Sequence, residues 1–259
     1  MVQRTDRPLG LRTPGYLTFW TDIGYPPMEF YDEDRPTGAD IEIGREIARR
    51  LGGVARFVDE PVVGIIDALI NQKCDAVINA FTDNIERRQR VAFVDYLEVG
   101  QTVVVPRGNP RKIMTTEDLA GLEVLVQADT SNELSLRKLD AANQASGLPP
   151  MRIAAFKGTT GETVPRAAAA LRDGQGHADF LDVINARWAA RQPDVEVAPF
   201  VVNREPYGIA VRPEDEELQQ AILAAVKSMY QDRWIHTILE GWALGDVAFS
   251  DEGRIRISH

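Results

Sequence analysis

The chain has 259 residues, a hydrophobic fraction of 44% and a formal charge of −10 at pH 7, with an isoelectric point near 4.9. Acidity of that size argues against nucleic acid or an anionic membrane as partner, and no apolar run reaches transmembrane length. The single Cys74 excludes an internal disulfide and a cysteine-based zinc site, and His177, His236 and His259 are too scattered for a histidine metal centre, so neither a metal nor a cofactor is expected.

Length and pattern suit an α/β protein of two modest domains. No apolar leader follows Met1-Val2-Gln3-Arg4, as in a cytoplasmic protein or the mature form of an exported one. Residues up to about Gly15 read as a loose charged lead-in. Tyr16 to Trp20 then form a first strand, broken by Thr21-Asp22-Ile23-Gly24-Tyr25-Pro26-Pro27. A carboxylate, an aromatic ring and two prolines at a strand end make a rigid place to hold a ligand, or a plain turn. A small hairpin is expected over Met28 to Gly38. Asp40 is placed to cap a helix with Ile43, Ile47 and Leu51 on one face, closed by Gly52. A strand near Ala55–Val58 and a helix through Ile65, Leu69 and Ile70 follow, and this alternation predicts a parallel sheet with covering helices.

The stretch from Cys74 to Arg87 runs from a buried strand, Ala76-Val77-Ile78, through polar residues to a helix beginning near Asn84, with Asp83 and Glu86 at capping-box spacing. Arg87 falls in the first turn, where the helix dipole opposes a cation. It either meets an anion there, helped by the Thr82 hydroxyl, or belongs to a solvated cluster with Arg88 and Arg90.

Beyond the extended Thr102–Pro106 and a loop at Arg107-Gly108-Asn109-Pro110, a second unit begins. Thr116 to Gly121 is a short capped helix. The strand Glu123–Gln127 stops at Asp129-Thr130-Ser131-Asn132, which opens another helix as an anion site or an ordinary cap. A strand at Arg152–Phe156, a turn at Thr159-Thr160 and an alanine-rich helix lead to the strand Ala178–Asp182, whose carboxylate stands at the carboxyl end where parallel sheets bind ligands. A helix over Val183–Ala190, a strand at Tyr207–Val211, and helical stripes through Leu218, Ile222, Ala225 and Met229, then Trp234, Ile238 and Trp242, complete the pattern. The tail after Gly245 reads as irregular.

Taken in order, Thr21 to Phe30, Gly38-Ala39-Asp40-Ile41-Glu42-Ile43, Asp75-Ala76-Val77-Ile78 with Thr82 and Glu86-Arg87, Asp118-Leu119-Ala120-Gly121, Thr130-Ser131, Asp182 and Pro206 to Val211 are landmarks of a known pattern. Over about Tyr16 to Trp242 the chain resembles the polar amino-acid family of extracytoplasmic solute-binding proteins, the ligand-catching components of ABC importers. The resemblance implies the two-lobed type II periplasmic binding fold. Each lobe would be a mainly parallel sheet flanked by helices, residues 1–104 with 205–259 and residues 105–204, with two crossing segments and a ligand enclosed by hinge closure. It implies that Arg87 forks onto the carboxylate of a small zwitterion such as an amino acid or opine, helped by Thr82 and by the backbone at Thr130 and Ser131. Asp182 and main-chain oxygen near Ala80 would take the ammonium, Tyr25 would pack on the aliphatic part, and Asp22 would stand near the distal end. Asn79 belongs to the same set, and Val62 falls where the family often has an aromatic partner for Tyr25. Trp20 and His177 also depart from the usual residues, so the ligand is expected to be larger or more derivatised than a simple amino acid. A permease partner, a monomeric state and a periplasmic location follow from the same resemblance.

Two other functions share this fold. A cyclohexadienyl dehydratase would need a glutamate where Asn185 stands and a lysine near Pro206 or Tyr207, so no catalytic residue is assigned. A ligand-sensing domain of a receptor would use the same pocket.

Overall fold

The computed structural model describes residues 9–61, 63–158 and 160–259. They divide into two compact units, residues up to Glu98 with Glu205–His259, and Val99–Arg204. The elements in chain order are β1 (Tyr16–Thr21), β2 (Phe30–Asp32), β3 (Arg35–Thr37), α1 (Ala39–Arg50), β4 (Val54–Asp59), α2 (Ile65–Ile70), β5 (Ala76–Val77), α3 (Ile85–Arg88) and β6 (Ala92–Pro106). After a 3₁₀ turn at Glu117–Leu119 come β7 (Glu123–Gln127), α4 (Ser131–Ala145), β8 (Arg152–Phe156), α5 (Thr160–Arg172), β9 (Ala178–Asp182), α6 (Val183–Ala189), β10 (Val195–Val197) and β11 (Val202–Val211). The chain closes with α7 (Glu216–Gln231), α8 (Trp234–Gly241) and β12 (Ile257–Ser258). Val62 and Thr159 lie outside the described residues.

In the first unit β4, β1 and β5 are parallel, with Phe19 opposite both Phe57 and Ala76, and β11 runs antiparallel to β5. The expected helical face of α1 is present, Ile43 and Ile47 being fully buried. Its cap is Gly38 instead of Asp40, which lies one residue inside the helix with its side chain buried. The stripe of α8 is shifted by one: Ile235 and Leu239 are buried, while Trp242 is half-buried and donates from its indole nitrogen to Glu42.

Residues 1–8 of the expected lead-in lie outside the described residues. In the described part of the lead-in and in the tail two further expectations fail for one reason, that these segments are held by pairing which local pattern does not encode. Arg12, in the expected loose lead-in, donates from its amide to Asp75 and from its guanidinium to the Lys73 carbonyl. The tail after Gly245 is likewise ordered. Phe249 and Ile255 are buried, and β12 adds antiparallel to β6 at Phe93 and Val94.

The second unit holds β8, β7 and β9 in parallel, with β6 and β10 antiparallel at one side. Alternation sorts its core into two layers. Val103, Val105, Val124, Val126 and Phe180 pack with Leu136 of α4, while Val104, Leu125 and Leu181 pack with α5 and α6.

Candidate functional site

In the first unit the candidate residues follow the carboxyl ends of parallel strands, Asp22 after β1 and Asn79 after β5. The turn from Asn79 to Asn84 is tied on several sides. The Asn79 side-chain oxygen accepts the Asp22 amide and the Thr21 hydroxyl, so it braces the neighbouring loop. Ala80 has a left-handed φ of 44° and donates its amide 2.6 Å to Asp40. Gly208 donates to the Phe81 carbonyl and Asp83 to the Pro206 carbonyl, each at 2.9 Å, which fastens the turn to β11.

Arg87 closes this turn. Its Nη1 donates 2.7 Å to the Thr82 carbonyl, and the guanidinium carbon lies 3.8 Å from the centre of the Phe81 ring. The side chain is half-buried, and no carboxylate among the described residues forms an ion pair with it. Burial lowers its pKa, while Tyr207, Glu205, Glu86 and Asp83 act in the opposite sense; a guanidinium stays charged regardless. The solvated-cluster alternative describes Arg90, which is exposed and paired with exposed Asp67, but not Arg88, which forks onto buried Asp83.

The expected capping box is corrected here. Asn84, not Asp83, caps α3 by accepting the Arg87 amide at 2.9 Å, because Asp83 is committed to Arg88. A helix of four residues also carries too little dipole to oppose a cation.

Beside Arg87, Thr82 is buried and its hydroxyl engages no described residue. Tyr25 bonds through its backbone to Glu29 on both sides of the loop, and its hydroxyl is 3.4 Å from that of buried Tyr207.

In the second unit β7 and β9 are adjacent and parallel, Val126 opposite Phe180, so Thr130 and Asp182 follow the same ends of neighbouring strands. Thr130 is a working N-cap. Its hydroxyl donates 2.8 Å to the Gln127 carbonyl and accepts the Glu133 amide, while Glu133 accepts the Asp129 amide. That is the ordinary-cap alternative, and it leaves backbone, not the hydroxyl, for a ligand. Ser131 is the half-buried first residue of α4. Asp182 is buried at the start of α6 and makes no side-chain cap bond there. His177 serves as a strand-end staple, its Nδ1 accepting the Glu123 amide and its Nε2 lying 3.2 Å from Arg111.

Sequence reasoning assigned no role to Phe81, Tyr207 or Glu29. The one signal for Phe81 was an aromatic residue inside an otherwise polar run.

The family model for bacterial extracellular solute-binding proteins, family 3, matches residues 17–245. A glutamine-binding protein of an ABC transporter from Bacillus subtilis is 31% identical over 217 residues, 82% of this chain and 74% of that protein. An ancestral arginine-binding protein bound to arginine is similar at 32% identity and a TM-score of 0.73, over 88% of this chain and 98% of that one. An ancestral amino acid-binding protein described as a precursor of cyclohexadienyl dehydratase is similar at 31% identity and a TM-score of 0.75, over 88% and 95%. With the family model matching most of the chain, this protein belongs to the family 3 bacterial extracellular solute-binding proteins.

Proposed function

We propose that the chain is the substrate-binding component of an ABC importer and captures a polar amino acid or amino-acid derivative outside the cytoplasm, in the periplasm, as a monomer that delivers to a permease. The observation that carries the reading is Arg87, a half-buried forked cation with no carboxylate partner among the described residues. A zwitterion needs such a cation for its carboxylate and an anion for its ammonium, because burial makes either end costly to leave unpaired.

In this reading Arg87 and the Thr82 hydroxyl bind the ligand carboxylate with the Thr130 and Ser131 backbone. Asp182 and main-chain oxygen near Ala80 bind the ammonium, Tyr25 packs on the aliphatic part, and Asp22 stands near the distal group. Asn79 acts by holding the Asp22 loop. The dehydratase alternative is disfavoured by Asn185, a buried amide at the position where that chemistry needs an acid.

The test is calorimetry with L-arginine, L-glutamine, L-cystine, opines and betaines, together with mass spectrometry of ligand released on denaturation. Losing one partner of a buried charged contact costs about 2–5 kcal/mol, so Arg87→Ala weakens binding by about thirty-fold or more. Unchanged affinity in that variant would overturn the carboxylate assignment.

A further inference from the structure

Three fully buried polar side chains meet beneath the turn that carries Arg87. Asp40 comes from α1, Tyr96 from β6, and Glu29 from the loop before β2. The Tyr96 hydroxyl donates 2.6 Å to one Asp40 oxygen, and the Ala80 amide donates 2.6 Å to the other. Both Glu29 oxygens are buried with no donor directed at them, and the Asp40 carboxyl lies beside them. The other titratable groups facing the cluster are Asp22, from the loop after β1, and Tyr25. Neither Glu29 nor Asp40 has an ion-pair partner among the described residues.

Two carboxyl groups in one dry site cannot both ionise. Glu29, without a donor, keeps the proton: burial and then the Asp40 charge push its pKa well above the usual carboxylate range. Asp40, with two donors, keeps the charge. Burial still outweighs those donors and pushes its pKa up to about 6.

We propose that Asp40 is the positioning residue of the ligand turn, and that Glu29 and Asp40 hold beneath that turn a single negative charge whose protonation weakens ligand binding. The inference rests on the reading that this turn binds the ligand. Ala80 occupies the left-handed region, which is strained for a residue with a Cβ. An amide bonded to an ionised carboxylate is held more strongly than one bonded to a neutral group, so the charge on Asp40 offsets that strain. Ala80 adjoins Phe81 and Thr82, the two residues that hold the Arg87 head. When Asp40 takes up a proton, the hold on the turn slackens and a negative charge near the ligand ammonium is lost. Affinity is therefore highest at neutral pH and falls as pH drops through about 6. Ordinary exposed carboxylates titrate about two pH units lower, which separates their effect from this one.

The experiment has two arms. In ligand-free protein, NMR follows the Ala80 amide between about pH 5 and about pH 8. The expected result is a titration with its midpoint near 6 in the wild type, retained in Glu29→Gln and absent in Asp40→Asn. In the second arm, calorimetry with L-arginine and with L-glutamine compares the two ends of that range. Wild-type affinity is expected to be about fivefold lower at the acid end, the lower bound of ordinary site-to-site coupling, and Asp40→Asn is expected to bind weakly and equally at both. An Ala80 amide that does not titrate, or an acid limb that survives Asp40→Asn, overturns the proposal. Should Asp40→Asn fail to fold, a flat wild-type amide curve does the same. Arg87→Ala keeps the two readings apart: near-normal binding in that variant beside a titrating Ala80 sinks the carboxylate assignment and leaves the buried acid pair standing.

Discussion

The Arg87 guanidinium carbon stands 3.8 Å from the centre of the Phe81 ring while its Nη1 donates to the Thr82 carbonyl. Ring and carbonyl fix the head of the cation without neutralising it. A cation over an aromatic face is worth about 0.5–2 kcal/mol, the larger figure when desolvated. Phe81→Leu preserves an apolar filling for the cluster that Phe81 shares with Val77 and Phe93, yet removes the π face. Ligand affinity measured by calorimetry should fall about two- to thirtyfold, in line with that energy. Arg87→Lys, which keeps the charge but loses the fork, should lose more than Phe81→Leu; equal binding by wild type and both variants would remove the ring and the fork from the site.

Thr130 offers a contrast, because its hydroxyl is spent on the helix it caps. Removing such a cap costs about 1 kcal/mol. Thr130→Ala should lower unfolding free energy by about that amount in urea titrations, and Thr130→Ser should restore it. Ligand affinity should stay within about threefold of wild type, since the amides remain in place. A large loss of affinity with unchanged stability would show the hydroxyl to be a ligand contact after all.

How much of this was readable from the residues depends on what fixes each feature. The strand–helix alternation, the Ile43 and Ile47 face of α1 and the placement of Arg87 after β5 follow from local pattern, which a single sequence carries well. The roles of Asp40 and Asp83 were misread as caps. A buried carboxylate's partners, Tyr96 and Ala80 for one and Arg88 for the other, are set by tertiary contact, and composition at the helix start looks the same either way. The stacking of Phe81 under Arg87 was not readable for a related reason: an aromatic residue in a polar run marks the position, but a partner six residues upstream has no periodic signature.

Glu29 makes a stability prediction that needs no ligand. Its folded pKa is raised, so between the unfolded and folded values the native state holds more protons than the unfolded one. By linkage, its contribution to stability is present below the unfolded pKa and is lost as pH rises toward the folded one. Glu29→Gln keeps the shape of the side chain and cannot ionise. The melting temperature of Glu29→Gln relative to wild type should therefore rise steadily as pH goes from about 5 to about 8. A difference constant over that range would mean that Glu29 does not change its ionisation on folding.

The pair formed by Asp83 and Arg88 is bidentate, at 2.6 and 2.8 Å, with side-chain exposures of 0% and 26%. Breaking a fully buried pair costs about 3–5 kcal/mol; with Arg88 partly hydrated, Asp83→Asn should cost about 2–3 kcal/mol in chemical denaturation. The cost should also vary with pH. Asp95 is pushed up to about 7, by burial first and by the Asp83 charge second, so in the wild type its ionisation erodes stability as pH rises. Asp83→Asn removes that second cause, and the variant suffers less erosion. The stability gap between wild type and Asp83→Asn should thus be wider near pH 5 than near pH 8, the reverse of what loss of a plain surface ion pair would give. A gap that widens toward alkaline pH would contradict the charge coupling between Asp83 and Asp95.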